Sequence, residues 1–224
     1  MDTHVLKVQR IPQEHCDTCG PATAAMILAS AGVPPVPQAV LSTDIGQPVN
    51  GLVSHPDALA NAVNIHLPGG PKFIARNSSD QMEGCRAIVS SILGDGLAAA
   101  ALIDKCIHWV AITGVTFEGS LSAGIRLGGF VIDDPEDSCL GCHNLPGITA
   151  ISGFVIGCGN GLPSAPGLDW SNMEAWTQTH WKDGCDKVAT NGTGRFATVA
   201  PDRDVFGDSS RISLSGHCWA DRPE

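Results

Sequence analysis

The sequence has no tyrosine and few aromatic residues of any kind, with five Trp and six Phe in 224 residues. Composition offers no physical reason for the missing tyrosine. Basic residues are also scarce. Thirteen Lys and Arg against 23 Asp and Glu leave a formal charge of −10. The chain therefore lacks the basic footprint of a nucleic-acid-binding protein, and nucleic acid is not an expected partner. The acidic balance speaks to solubility rather than fold. No uninterrupted apolar run reaches the roughly 18 residues of a membrane span. The closest, GDGLAAAALIDKC, is short and charged at both ends. The opening MDTHVLKVQRIPQEHC has no apolar run behind a basic patch, so no secretory signal is evident. No internal repeat is present. These absences lead to the expectation of a soluble, cytoplasmic protein without a membrane span, with export by another route left open.

The remaining composition is globular: 43% apolar and 16% charged residues are enough for one sizeable core, as one large domain or two small ones. Cysteine is plentiful. There are nine: Cys16, Cys19, Cys85, Cys106, Cys139, Cys142, Cys158, Cys185 and Cys218. An odd number leaves at least one thiol free even if all others pair, and in a reducing compartment most stay reduced. Cys106, in an apolar run, reads as a small buried hydrophobe.

Residues 20–31, GPATAAMILASA, read as a helix with Pro21 in the first turn. Gly32 ends it, and Pro34-Pro35 forbid continuation. Residues 36–48, 55–64 and 78–94 read as three further helices. The pattern then changes to short runs rich in Val, Ile and Phe at 97–105, 107–117 and 125–133, expected as antiparallel strands. A helical half followed by a β half points to an α+β domain. Residues 136–168, rich in Cys, Gly and Pro, read as a long irregular insertion. SNMEAWTQTHW (171–181) reads as a capped helix and RFATVAPD (195–202) as a last strand. The expected organisation is a single domain over 1–202, carrying the insertion at 136–168, then a polar, loosely held tail over 203–224.

The stretch QEHCDTCGPATAAMILASAG carries the central question, because Cys16 and Cys19 admit three chemistries. A zinc site shared with Cys139 and Cys142, with His15 or His143 as substitutes, would supply four ligands. The two CxxC pairs lie farther apart than ribbon-type pairs do. A site or disulfide local to the insertion would instead use Cys139, Cys142, Cys158 or His143. A redox CxxC is disfavoured because no strand of a βαβ unit precedes it.

The third chemistry is nucleophilic catalysis. Cys19 sits at a helix N-terminus, where unpaired N–H groups and the macrodipole favour an anion. Gly20 removes a Cβ that would crowd an approaching peptide. Gln13, six residues upstream, could aim its amide at an oxyanion beside the Cys19 backbone N–H. His108 in CIHWVAITG opens a strand of the β half, with Trp109 behind it to exclude water. Asp134 ends the next strand and would orient the imidazole; Asp133 is its rival, since neighbouring strand residues face opposite ways. Each residue also has a plain reading: a buried thiol, a core histidine, a turn before Pro135 and a surface glutamine.

The ordered set Gln13-x5-Cys19-Gly20-Pro21-Ala22, then His108-Trp109-Val110 with Gly114, then Val131-Ile132-Asp133-Asp134-Pro135 resembles the papain-like cysteine peptidases. It is most similar to the bacteriocin-processing family, family thirty-nine, and its stand-alone relatives. The resemblance implies a helical half, carrying Cys19, packed on an antiparallel sheet carrying His108 and Asp134. It implies Cys19 as nucleophile, His108 as general base and acid, Asp134 as orienter and Gln13 as oxyanion donor, with no cofactor. The partner would be a peptide or protein substrate. The best-known members cleave leader peptides after a Gly-Gly pair, which extends the expectation to small residues before the scissile bond. A thiol-dependent acyl transferase, or a non-catalytic peptide-binding module on the same fold, would carry the same residues.

Overall fold

The computed structural model describes residues 2–15, 17–46, 54–78, 81–103, 108–135, 152–157, 196–207 and 209–214. In chain order the elements are β1 (Asp2–Val5), α1 (Cys19–Ser30), α2 (Gln38–Ile45), α3 (Pro56–His66), β2 (Phe73–Ser78) and α4 (Gln81–Val89). A π-helical turn, Ser90–Asp95, continues α4. Then follow β3 (Ala99–Ile103), β4 (His108–Ser120), β5 (Gly124–Asp133), β6 (Ser152–Gly157), β7 (Phe196–Pro201) and β8 (Ile212–Leu214).

The expected α+β class is observed. The four helices expected before residue 95 form, and the strands expected over 97–105, 107–117, 125–133 and 195–202 appear as β3, β4, β5 and β7. The helix expected at 171–181 lies outside the described residues.

Helix α1 is the structural centre. Every residue from Cys19 to Leu28 is buried, which is why the sequence is apolar all round rather than striped. Its end is a Schellman motif. Gly32 takes a φ of 74°, its N–H bonds to the Ala29 carbonyl, and the Val33 N–H bonds to the Leu28 carbonyl.

The described strands form one sheet in the order β2-β7-β3-β4-β5-β6, with β1 also on β4 and β8 also on β5. The two faces carry different cores. Ala98, Ala100, Leu102, Trp109, Ala197 and Val199 pack with α1, α2 and α3. Ala99, Ala101, Val110, Ile112 and Ala200 pack with Cys85, Ile88, Val89 and Ile92 of α4 and its π turn. Being covered on both sides, β3 and the start of β4 read as continuous apolar runs instead of alternating ones.

Three expectations change. The sheet is not confined to the second half, since β1 and β2 come from the first, and α4 lies on the face opposite the other helices. The insertion expected to be irregular contains β6, which pairs with β5 from Gly129↔Gly157 to Asp133↔Ser152. The tail expected to be loose contributes β8, parallel to β5 over Ile125–Leu127, and buries Phe206 and Ile212; the parallel pair makes the sheet mixed. One cause explains β6 and β8. Strand β5 gives one edge to β4, and the N–H and C=O groups of its other edge need partners. β6 and β8 divide that edge between them.

Candidate active site

The N-terminus of α1, the start of β4 and the end of β5 meet at one point. Cys19 is the first residue of α1 and is 4% exposed. His108 is the first residue of β4, and Asp134 directly follows β5. His108 Nε2 lies 2.7 Å from Asp134 Oδ1, with the two side chains 3% and 1% exposed. With Nε2 engaged by the carboxylate, Nδ1 is the ring nitrogen left for Cys19, which lies close enough to influence the titration of His108. Burial by itself would push the imidazolium toward deprotonation. The hydrogen bonds to Asp134 and Cys19, and the charges on both, outweigh it and hold the His108 pKa well above its ordinary value near 6.5.

At the head of α1 the N-cap side chain is engaged away from the helix. Thr18 is the N-cap residue, yet its side chain makes no cap hydrogen bond. Its Oγ1 donates instead to the His15 carbonyl at 2.9 Å and accepts from the His15 N–H at 3.0 Å. Pro21 has no N–H to satisfy. The Thr18 side chain therefore does not cap the first-turn N–H groups of α1.

Gly20 has a different reason from the one expected. A Cβ there would lie 2.0 Å from Ser54 Oγ and 2.8 Å from Ser54 Cβ. The glycine makes room for the segment that carries Ser54, not for a substrate. That segment is tied in turn to Trp109, whose Nε1 donates to the Ser54 carbonyl at 2.8 Å. Trp109 is fully buried beside the site, and its own carbonyl accepts from Thr23 Oγ1 at 3.2 Å. Strand β4 and helix α1 are thereby pinned together one residue from His108 and one helical turn from Cys19.

Gln13 is 5% exposed, and its backbone N–H donates to the Pro135 carbonyl at 2.8 Å. Arg10 Nε donates to the Asp134 carbonyl at 3.0 Å. The segment before α1 therefore runs along the turn that carries Asp134. Asp133, the rival orienter, pairs within the sheet opposite Ala111 and is half-buried. The structure brings Asp134, not Asp133, to His108.

Cys16, Cys139, Cys142, His143 and Cys158, the alternative metal or disulfide residues, lie outside the described residues, and His15 is exposed. Among the described residues, no three His, Cys, Asp or Glu side chains gather as a metal-binding group. No helix among them is long and apolar enough to cross a membrane. Sequence reasoning missed Gln38 and Ser54. Neither has a local signal: a glutamine after Pro37 reads as an ordinary first turn, and Ser54 reads as loop.

The assembled geometry has a buried imidazole held by a carboxylate and, beside it, a thiol on the first residue of a helix whose N-cap side chain makes no cap bond. That is a set able to form a thiolate–imidazolium pair and stabilise a neighbouring oxyanion.

No protein-family model and no curated protein matches the sequence. Similar solved structures include a double glycine motif protease from an AMS/PCAT transporter in complex with the leader peptide, at 16% identity and a TM-score of 0.46, covering 88% of this chain and 94% of that one. Another is the peptidase domain of Streptococcus ComA, a bi-functional ABC transporter involved in a quorum-sensing pathway, at 15% identity and a TM-score of 0.43, covering 86% of this chain and 97% of that one. At that distance the chemistry has to be read from this chain's own geometry.

Proposed function

We propose that this protein is a cysteine peptidase that uses Cys19, His108 and Asp134 as its catalytic triad. The observation that carries the reading is His108, buried at 3% exposure with Asp134 at 2.7 Å and Cys19, the first residue of a buried helix, close enough to raise its pKa. A core histidine needs no carboxylate at 2.7 Å and no thiol on its other side.

The Cys19 thiolate attacks the carbonyl carbon of a peptide bond while imidazolium His108 balances its charge. The oxyanion that forms is held by the Cys19 backbone N–H and the Gln13 side-chain amide. His108 gives its proton to the leaving amine, the C–N bond breaks, and a thioester to Cys19 remains. His108, now neutral, takes a proton from water, whose oxygen attacks the thioester and releases the acid and the thiol. Asp134 keeps the imidazole in one tautomer and orientation and stabilises its charged form. The sequence resemblance extends the proposal to substrates with small residues before the scissile bond.

The test is incubation with a synthetic peptide mixture that places every residue on both sides of each bond, with products read by mass spectrometry. Cleavage at defined positions, lost in Cys19→Ala, supports the reading. Cleavage that persists in Cys19→Ala contradicts it.

A further inference from the structure

Gln38 is a buried polar side chain for which the chemistry above has no use. It is the first residue of α2, is 4% exposed, and has both ends of its amide engaged. Nε2 donates to the Pro12 carbonyl at 2.7 Å. Oε1 accepts from the Glu14 N–H at 3.1 Å. The two backbone groups it holds flank Gln13 on either side. A glutamine on a helix some 25 residues away along the chain, with no part in that helix's capping, is thus used as a bracket on one residue of a loop.

The loop lies between β1 and α1 and, among the described residues, holds no helix or strand of its own. Its ties also include Arg10 and the Gln13 N–H on the Asp134–Pro135 carbonyls and the Leu6 N–H on the Thr113 carbonyl. These fix the loop to the β side of the site, whereas Gln38 fixes it to the helical side. A donor aimed at an oxyanion is useful only if its position is set before reaction, because ångström displacements cost rate steeply.

We propose that Gln38 is a positioning residue that holds the Gln13 amide in register with the Cys19 N–H. The proposal rests on the reading of Cys19, His108 and Gln13 given above. It separates two reactions of the same thiol. Acylation by an ester passes through a tetrahedral oxyanion and needs the donor. Alkylation by iodoacetamide displaces iodide at a saturated carbon, forms no oxyanion and does not.

The probe for acylation is the p-nitrophenyl ester of N-benzyloxycarbonyl-glycine. Cys19 sulfur bonds to its carbonyl carbon, the bond to the nitrophenyl oxygen breaks, and nitrophenolate leaves and is counted by absorbance. Parent, Gln13→Ala, Gln38→Ala, the double variant and Gln38→Glu are compared for both reactions across pH. In Gln38→Ala, acylation is expected to fall about 10- to 100-fold, while the rate and pH profile of Cys19 alkylation stay at the parent's. Gln38→Ala should add nothing further in the Gln13→Ala background, because the donor it positions is already gone. Gln38→Glu keeps the size but donates only when protonated, so its deficit should shrink as pH falls.

Unchanged acylation in Gln38→Ala, fully additive losses in the double variant, or equal losses in acylation and alkylation would each overturn the proposal. The last would mean that Gln38 merely keeps the fold intact. If the parent is alkylated at Cys19 yet never acylated, the peptidase reading falls, and the role of Gln38 falls with it.

Discussion

Two histidine–aspartate pairs of equal length sit in different surroundings. His66 Nε2 lies 2.7 Å from Asp44 Oδ2 between α3 and α2, with side chains 22% and 23% exposed. His108 Nε2 lies 2.7 Å from Asp134 Oδ1 with side chains 3% and 1% exposed. A distance alone does not make a site. Around His66, water hydrates both groups and screens their attraction, which limits what the pair is worth. Around His108 water is excluded, so each charge depends on its protein partners, and a thiol on the helix supplies a third group. The first pair ties two helices together; the second is the one that, under the proposed function, moves a proton.

That contrast can be broken most severely at Asp134. Asp134→Asn keeps the size and removes the charge, and peptide cleavage is expected to fall on the order of 10²- to 10⁴-fold. The pH dependence should change in a defined direction. Asp134 raises the His108 pKa through its hydrogen bond and its charge, so the imidazolium persists well above pH 6.5 in the parent. In Asp134→Asn, with that support gone, the alkaline limit of activity should move down. A rate profile of kcat/KM against pH for both proteins checks it.

A smaller effect is expected at Gly20, where the issue is space rather than charge. Gly20→Ala places a methyl group 2.0 Å from Ser54 Oγ. Overpacking of this kind costs about 1–3 kcal/mol, read as a lower urea midpoint, and Ser54→Gly in the same chain should recover part of it. The smallest effect belongs to the half-exposed pair. Asp44→Asn should change stability by less than about 1 kcal/mol and leave cleavage at the parent's rate. A large loss of activity there would erase the distinction between the two pairs.

The legibility of the molecule follows the same division between local and long-range causes. Helices α1 to α4 and strands β3, β4, β5 and β7 are written in composition and period, because burial forces their apolar patterns. Strand β1 is exposed at all four residues, so nothing in DTHV marks it; it is a strand because β4 offers it an edge. β2 buries only Phe73 fully and pairs with β7 more than a hundred residues on. β6 and β8 exist to satisfy the free edge of β5. At the site, Cys19, His108 and Asp134, which the structure brings together, stand out in the sequence because the proposed chemistry constrains their type and order. Asp134 could not be chosen over Asp133 from alternation alone, since it falls just past the strand, where alternation ends. Gln38 and Ser54 act on backbone groups distant in sequence, which no local pattern encodes.

The central claim is that Cys19 is paired with His108 as a reactive thiolate. Site-resolved alkylation tests it most directly: iodoacetamide from about pH 5 to 9, with the rate at each cysteine mapped by mass spectrometry in parent and His108→Ala. The account predicts that Cys19 reacts fast well below the value of about 8.5 at which a free thiol titrates, and that His108→Ala abolishes this. A Cys19 that reacts no faster than Cys85, a buried thiol of the opposite core, or one indifferent to the loss of His108, would contradict it.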